Sequence, residues 1–182
     1  TTWSAAGSPY VVTGHVTVES GVTLTVEAGV EVRIDEGRVL VVEGELIARG
    51  TEGSGIVFTS NAASPSAGDW AYIKFEDTSV DAAFDENGNY ASGSILEYVT
   101  VEYAGSYGNG AIWENNSSPL IKNCNIRNNT NRGVYARGVA INILNSTISN
   151  CGGGIDMEDG TVSNSVIIGN KLTNAWYSTK GG

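Results

Sequence analysis

The chain has a single histidine, His15, two cysteines, Cys124 and Cys151, one methionine and 3 prolines among 182 residues. A Ser–His–Asp or Cys–His catalytic set would have to run through His15, and no G-x-S-x-G nucleophile elbow occurs, so histidine-dependent nucleophilic catalysis is excluded. Two cysteines cannot form a disulfide framework, and they share no usual zinc spacing with His15. Basic residues are also scarce. Lys and Arg number 10 against 20 Asp and Glu, for a net charge of −10 and a pI near 4.4. Such a chain repels phosphate backbones and anionic headgroups, so nucleic acid and membrane surfaces are rejected as partners. No apolar run approaches the roughly 20 residues of a transmembrane helix. Thr1–Thr2–Trp3 has neither a basic start nor an apolar core, so any export signal is expected to lie outside this sequence. Helical periodicity is missing as well.

Alternation of apolar residues is what remains. Val11, Val12, Val16, Val18, Val22, Leu24, Val26, Val30, Val32 and Ile34 fall mostly at period two, punctuated by Gly14, Gly21, Gly29, Gly37 and Gly44. That pattern describes short strands between tight turns. The C-terminal half adds a repeat. Ile112, Val134, Ile155 and Trp176 each follow a small residue, at separations of about 21 residues. A second column runs through Val101, Ile126, Ile148 and Ile167, and a third through Asn123, Asn145 and Asn164. Columns advancing together at this period mark a solenoid whose turns each supply several short strands. Leucine-rich repeats share the length but require a Leu-x-x-Leu-x-Leu pattern that is missing. The expected fold is therefore all-β, one parallel β-helix over residues 1–182, of about seven turns stacked about 4.8 Å apart.

Every Asn lies after Ser60. Asn128 and Asn150, two residues past the column isoleucines, are read as a stacked amide ladder. Residues 1–9 are read as an N-terminal cap, 77–94 as an inserted loop, and 105–110 as a shorter loop carrying Tyr107 and Asn109. Cys124 is expected to point inward and Cys151 to sit at a turn, too far apart to bridge.

The segments Gly21–Val30, Gly44–Thr51 (Gly-Glu-Leu-Ile-Ala-Arg-Gly-Thr) and Ile56–Asn61 resemble the opening of exported bacterial right-handed β-helix proteins of the pectin-lyase-like group. Gly68–Asp69–Trp70 and the Asn-rich turns behind it fit the same pattern. The resemblance covers nearly the whole chain. It implies a fold and a secreted or cell-surface bacterial setting, while leaving lyases, hydrolases, adhesins and binding modules all open.

If Ile112, Val134, Ile155 and Trp176 point inward, their successors point out. The outer column then reads Trp113, Tyr135, Asp156 and Tyr177, with Lys74 one turn earlier. Asn115, Arg137, Glu158 and Thr179 lie two residues further on, with Glu76 before them. Aromatic faces stack on the C–H faces of sugars, while carboxylates and amides take the hydroxyls, so this strip is the candidate ligand site. Strand propensity alone also places aromatics on such surfaces. Asp156 and Glu158 alternatively form a pair for inverting glycoside hydrolysis. A uronate lyase would need calcium-binding acids and a base such as Arg137 or Arg132, but no cluster of acids faces them. In the insert, Asp81, Asp85, Asn87 and Asn89 resemble the first half of a calcium loop but lack its Gly and terminal Glu, leaving calcium as the one weakly indicated cofactor.

Size, fold, acidity and the aromatic column together resemble the family 89 carbohydrate-binding modules, β-helices attached to gut-bacterial xylanases. That resemblance implies a non-catalytic monomeric module bound to a catalytic domain, with xylan or a similar β-linked glycan as partner. Lys180–Gly181–Gly182 is read as a domain boundary. A polysaccharide-degrading enzyme and a structural or adhesin segment are the alternatives.

Overall fold

The computed structural model describes residues 1–171. Trp176, Tyr177, Thr179 and the exit at 180–182 lie outside the described residues.

The chain coils as a right-handed parallel β-solenoid with three faces. The first face stacks Thr2–Trp3, Thr23–Val26, Glu45–Arg49, Ile95–Glu97 and Leu120–Lys122, and continues into the later parts of Arg132–Leu144 and Gly153–Ser163. The second is a 7-stranded sheet from Tyr10–Val12 to Val166–Ile168. The third stacks Val16–Val18, Leu40–Val42, Ile73–Phe75 and Gly110–Asn115 before the early parts of the same two long strands. Pairing between these faces' turns is parallel, so each residue sits above its counterpart one turn earlier.

The repeat columns are real, and they extend to the N-terminal strands. Val16, Leu40, Ile73, Ile112, Val134 and Ile155 stand in one register. Tyr10, Val32, Phe58, Val101, Ile126, Ile148 and Ile167 stand in another. These columns fill the coil, joined by fully buried Trp70, whose indole N–H donates to the Glu102 carbonyl at 2.8 Å. Burying such side chains contributes about 1.5–3 kcal/mol each.

The chain turns between faces through left-handed backbone. In the early turns glycine supplies it, at Gly21 (φ 77), Gly29 (φ 82) and Gly37 (φ 68). Later it is asparagine, at Asn123 (φ 56), Asn145 (φ 50) and Asn164 (φ 50) on one corner, and Asn128 (φ 55) and Asn150 (φ 53) on the next. Asn tolerates this region because its short amide bonds locally.

The amide ladder expected at Asn128 and Asn150 is therefore corrected by one residue. Those two are corner residues, and the inward amides stand one residue past a corner, Asn129 after Asn128 and Asn170 after Gly169 (φ 68). Asn129 accepts from the Ala104 N–H at 2.8 Å and donates to the Val101 carbonyl at 3.2 Å. Asn170 does the same with Cys151 N–H (2.8 Å) and the Ile148 carbonyl (3.1 Å). Cys151 occupies the intervening turn of that column, so it is buried inside the corner and not merely at it. On the neighbouring corner Ser146 Oγ accepts from the Cys124 N–H at 3.0 Å. Both cysteines are free and buried, and burial pushes the Cys124 thiol up to about 12.

Residues 1–9, read as a cap, lie at the end of the stack and add a short strand to it. Thr2–Trp3 pairs in parallel with Thr25–Val26, and Trp3 stacks on Tyr10 at 5.2 Å. The insert expected to lack strands carries an antiparallel hairpin, Ala83–Phe84 with Tyr90–Ser92. It lies beside the first face, where the outward-facing Ile95 and Leu120 are fully buried. Among the described residues, no helix is long and apolar enough to cross a membrane.

One inward position is anomalous. Glu114 stands in register between Phe75 and Ala136, is fully buried, and neither carboxyl oxygen has a hydrogen-bond partner. Desolvation, with a smaller contribution from the charge of Asp81, pushes its pKa well above the ordinary carboxylate range. The folded state thus holds a proton that the unfolded chain releases above about pH 4.3. The resulting stabilisation is fully present below that pH and is lost as pH rises towards the folded pKa, at up to about 1.4 kcal/mol per pH unit. Urea unfolding across pH 4 to 8 checks this: relative to wild type, Glu114→Met should remove that decline.

The corners yield a second test. Asn145→Gly should leave stability within a few tenths of a kcal/mol, whereas Asn145→Ala should cost about 1–2 kcal/mol by forcing a Cβ into left-handed backbone without the local amide. Equal losses in chemical denaturation would contradict the corner assignment.

Candidate functional site

The third face brings the sequence-selected residues together. Lys74, Trp113, Tyr135 and Asp156 stand in one outward register across four successive turns. Asn115 and Arg137 are paired beside them, with Glu76 below and Glu158 above. Tyr177, the expected next aromatic, lies outside the described residues. Inserts border this face: residues 61–72 and 103–109 enter it, and 76–94 leave it.

The aromatics are not a flat stack. Trp113 and Tyr135 are 6.3 Å apart with planes at 78°, edge to face. Tyr72 meets Trp113 in the same way from the other side, at 5.4 Å. Each ring face carries a cation. Lys74 Nζ lies 4.3 Å from the Trp113 ring centroid, and the Arg137 guanidinium 4.1 Å from that of Tyr135, with Arg132 at 5.5 Å. Such contacts contribute about 0.5–2 kcal/mol each. Rings held edge to face beneath cations present their edges and flanks to a ligand, not the open faces a coplanar platform would offer.

Every cation on the strip also meets an acid. Lys74 Nζ is 2.5 Å from Glu76, which also accepts from Asn115 Nδ2 at 2.8 Å. Burial opposes ionisation of Glu76, but the hydrogen bonds from Lys74 and Asn115 outweigh it and hold its pKa below the ordinary value. Asp156 is 8 % exposed and receives Arg137 at 2.7 Å on one oxygen and Arg132 at 2.8 Å on the other. Arg137 reaches Glu158 at 3.4 Å, and the Gly138 N–H donates to Glu158 at 3.2 Å. One guanidinium thus joins both members of the pair considered for hydrolysis.

Two participants were missed by the outward-column reading. Tyr72 precedes inward Ile73, so alternation itself would have found it. Arg132 shares parity with inward Val134, but at the start of its strand it lies along the surface, donating to the Asn109 carbonyl at 3.4 Å. The 105–109 loop is seated on the strip: Asn131 Nδ2 donates to the Gly108 carbonyl at 3.1 Å, and a Cβ at Gly108 would come within 3.1 Å of both Trp113 and Tyr72.

The calcium candidates are not gathered. Asp85 Oδ1 accepts from the Asn87 and Asn89 backbone at 2.9 and 2.8 Å, and its Oδ2 from Asn89 Nδ2 at 3.2 Å, closing the hairpin turn. Asp81 points elsewhere, accepting from Ser118 N–H at 2.7 Å. Among the described residues, no group of three or more His, Cys, Asp or Glu is placed to hold a metal ion.

Residues 1–118 match the family described as the pectate-lyase-like β-helix domain. No curated protein and no solved structure matches the chain. The coil continues past the matched region in the same register, through Arg132–Leu144 and Gly153–Ser163. The family ties the fold to polysaccharide-related proteins, without assigning catalysis. On the match and on the parallel three-faced coil that bears it out, the chain belongs to the pectate-lyase-like β-helix domain family.

Proposed function

We propose that the chain is a non-catalytic carbohydrate-binding module that takes an extended neutral β-linked glycan, xylan or a close relative, along its third face. The supporting observation is the strip itself: four turns in register, aromatic at the centre, with Lys74, Arg132 and Arg137 matched by Glu76, Asp156 and Glu158. A surface with its charges paired internally offers aromatic edges for C–H contacts and polar groups for hydroxyls, and has no excess cation to favour a polyuronate. The turn repeat of about 4.8 Å approximates the advance of one sugar in an extended β-linked chain, so contacts recur along it.

A polysaccharide-degrading enzyme is the second reading, with Asp156 and Glu158 as its candidate pair. An acid or base in glycoside hydrolysis must reach the glycosidic oxygen or a water. Both Asp156 oxygens are instead taken up by guanidinium groups, one by Arg137 and one by Arg132. The binding reading needs no calcium, so retention on xylan is expected to survive EDTA. It also fits a monomeric module exported by a bacterium and joined to a catalytic domain.

Affinity electrophoresis on neutral and uronic polysaccharides, with product assays in the same samples, tests this. Retardation by xylan without product is expected, little changed up to about 1 M salt because no net charge is engaged. Trp113→Ala and Tyr135→Ala should each weaken binding by about 1–3 kcal/mol, the scale of a lost aromatic contact. Wild-type affinity in both folded variants, or reducing or unsaturated products, would contradict the proposal.

A further inference from the structure

The first face carries a pocket that the glycan strip does not use. The hairpin of Ala83–Phe84 and Tyr90–Ser92 stands off the sheet and leaves a cavity of about 380 Å³, at the small end of ligand-sized pockets. Its apolar wall on the sheet side is Leu144, with fully buried Leu120 behind it, and the hairpin supplies Phe84 and Tyr90. The Tyr90 ring is fixed, donating its hydroxyl to the Gly93 carbonyl at 2.6 Å and lying 5.3 Å from the Arg49 guanidinium. Phe84 keeps 40 % of its surface exposed, although a hairpin made only to cover Ile95 and Leu120 gains nothing from an open aromatic.

Two cations converge on this pocket. Arg49 and Lys122 both line it, and both are held by one carboxylate, Glu97, at 2.8 and 3.0 Å. Burial opposes ionisation of Glu97, but its hydrogen bonds to Lys122 and Arg49 prevail and keep its pKa below the ordinary value. Glu45, the other acid acting on Tyr90, accepts from Thr23 Oγ1 at 2.7 Å. A second anion can therefore enter the fork of the two cations opposite Glu97. Hydroxyl-rich ligands are poorly served, because the one amide lining the pocket, Asn89, gives its Nδ2 to Asp85 at 3.2 Å.

We propose that this pocket binds a small planar aromatic carboxylate, of hydroxycinnamate or benzoate size. The ring enters between Phe84 and Tyr90 on one side and Leu144 on the other, with its carboxylate on Arg49 and Lys122. Aromatic edge and face contacts hold the ring, and charge-assisted hydrogen bonds select the acid. The site is separate from the glycan strip and does not depend on it.

Calorimetric or NMR titration of the intact chain with 4-hydroxycinnamate, 4-hydroxycinnamyl alcohol and glucuronate tests the assignment. The acid should bind saturably. The alcohol, in which a hydroxymethyl group replaces the carboxylate, should bind at least about tenfold more weakly, having lost the charge-assisted hydrogen bonds to Arg49 and Lys122. Lys122→Met, which leaves Arg49 in place, should weaken the acid and leave the alcohol unchanged. Phe84→Ala, at an exposed position that the fold does not need, should weaken both ligands, and Trp113→Ala should change neither. Melting curves establish that each variant is folded. The proposal is overturned if 4-hydroxycinnamate fails to saturate, if the alcohol binds equally well, if glucuronate binds better, or if Phe84→Ala binds as wild type does.

Discussion

The corner between faces is the constraint on which the molecule depends. A parallel solenoid holds its register only if each turn consumes the right length of chain and bends sharply at the same places. Left-handed residues make those bends: glycine at 21, 29, 37 and 169, asparagine at 123, 128, 145, 150 and 164. Immediately after several of them an inward polar side chain satisfies the backbone that the bend leaves unpaired. Asn129 and Asn170 do this on one corner and Ser146 and Ser165 on the other. Buried backbone groups without partners are costly, so the polar ladders inside the corners are as necessary as the apolar columns between them.

Register then produces the surface. Because Ile112 sits over Ile73 and Val134 over Ile112, their neighbours Lys74, Trp113 and Tyr135 are placed in file without any contact having to arrange them. The side chains respond by pairing, cation over ring and cation against acid; Lys74 over Trp113, and Arg132 and Arg137 against Asp156, bridge to the next turn. The same logic leaves Glu114 inside the coil. It lies between outward Trp113 and Asn115, so alternation sends it inward, where burial without a partner disfavours its charged form.

The sequence made the columns legible because β-branched alternation and a period near 21 residues are local signals that side-chain burial preserves. The outward column followed from alternation alone, and Trp113, Tyr135, Arg137 and Asp156 fell where it put them. Three features were less accessible. Asn128 and Asn129 are adjacent and chemically identical, and only backbone conformation separates a corner residue from a ladder residue. The interplanar angle of Trp113 and Tyr135, and the cations over them, depend on side-chain packing that spacing does not encode. Residues 77–94 fold back on the first face through a hairpin whose strands are two or three residues long, too short for a periodic signal. The buried Glu114 was legible in principle, by the same parity that marked Trp113 as exposed.

The most direct measurement of the central claim is the affinity of unbranched β-1,4-xylooligosaccharides as a function of length, by calorimetry. A glycan lying along the third face meets one turn per sugar over Lys74, Trp113, Tyr135 and Asp156. Affinity should therefore climb with each added residue and level off at roughly four to five sugars, given the repeat of about 4.8 Å. Affinity already complete with a single sugar, or no binding at any length, would contradict a glycan track along this face.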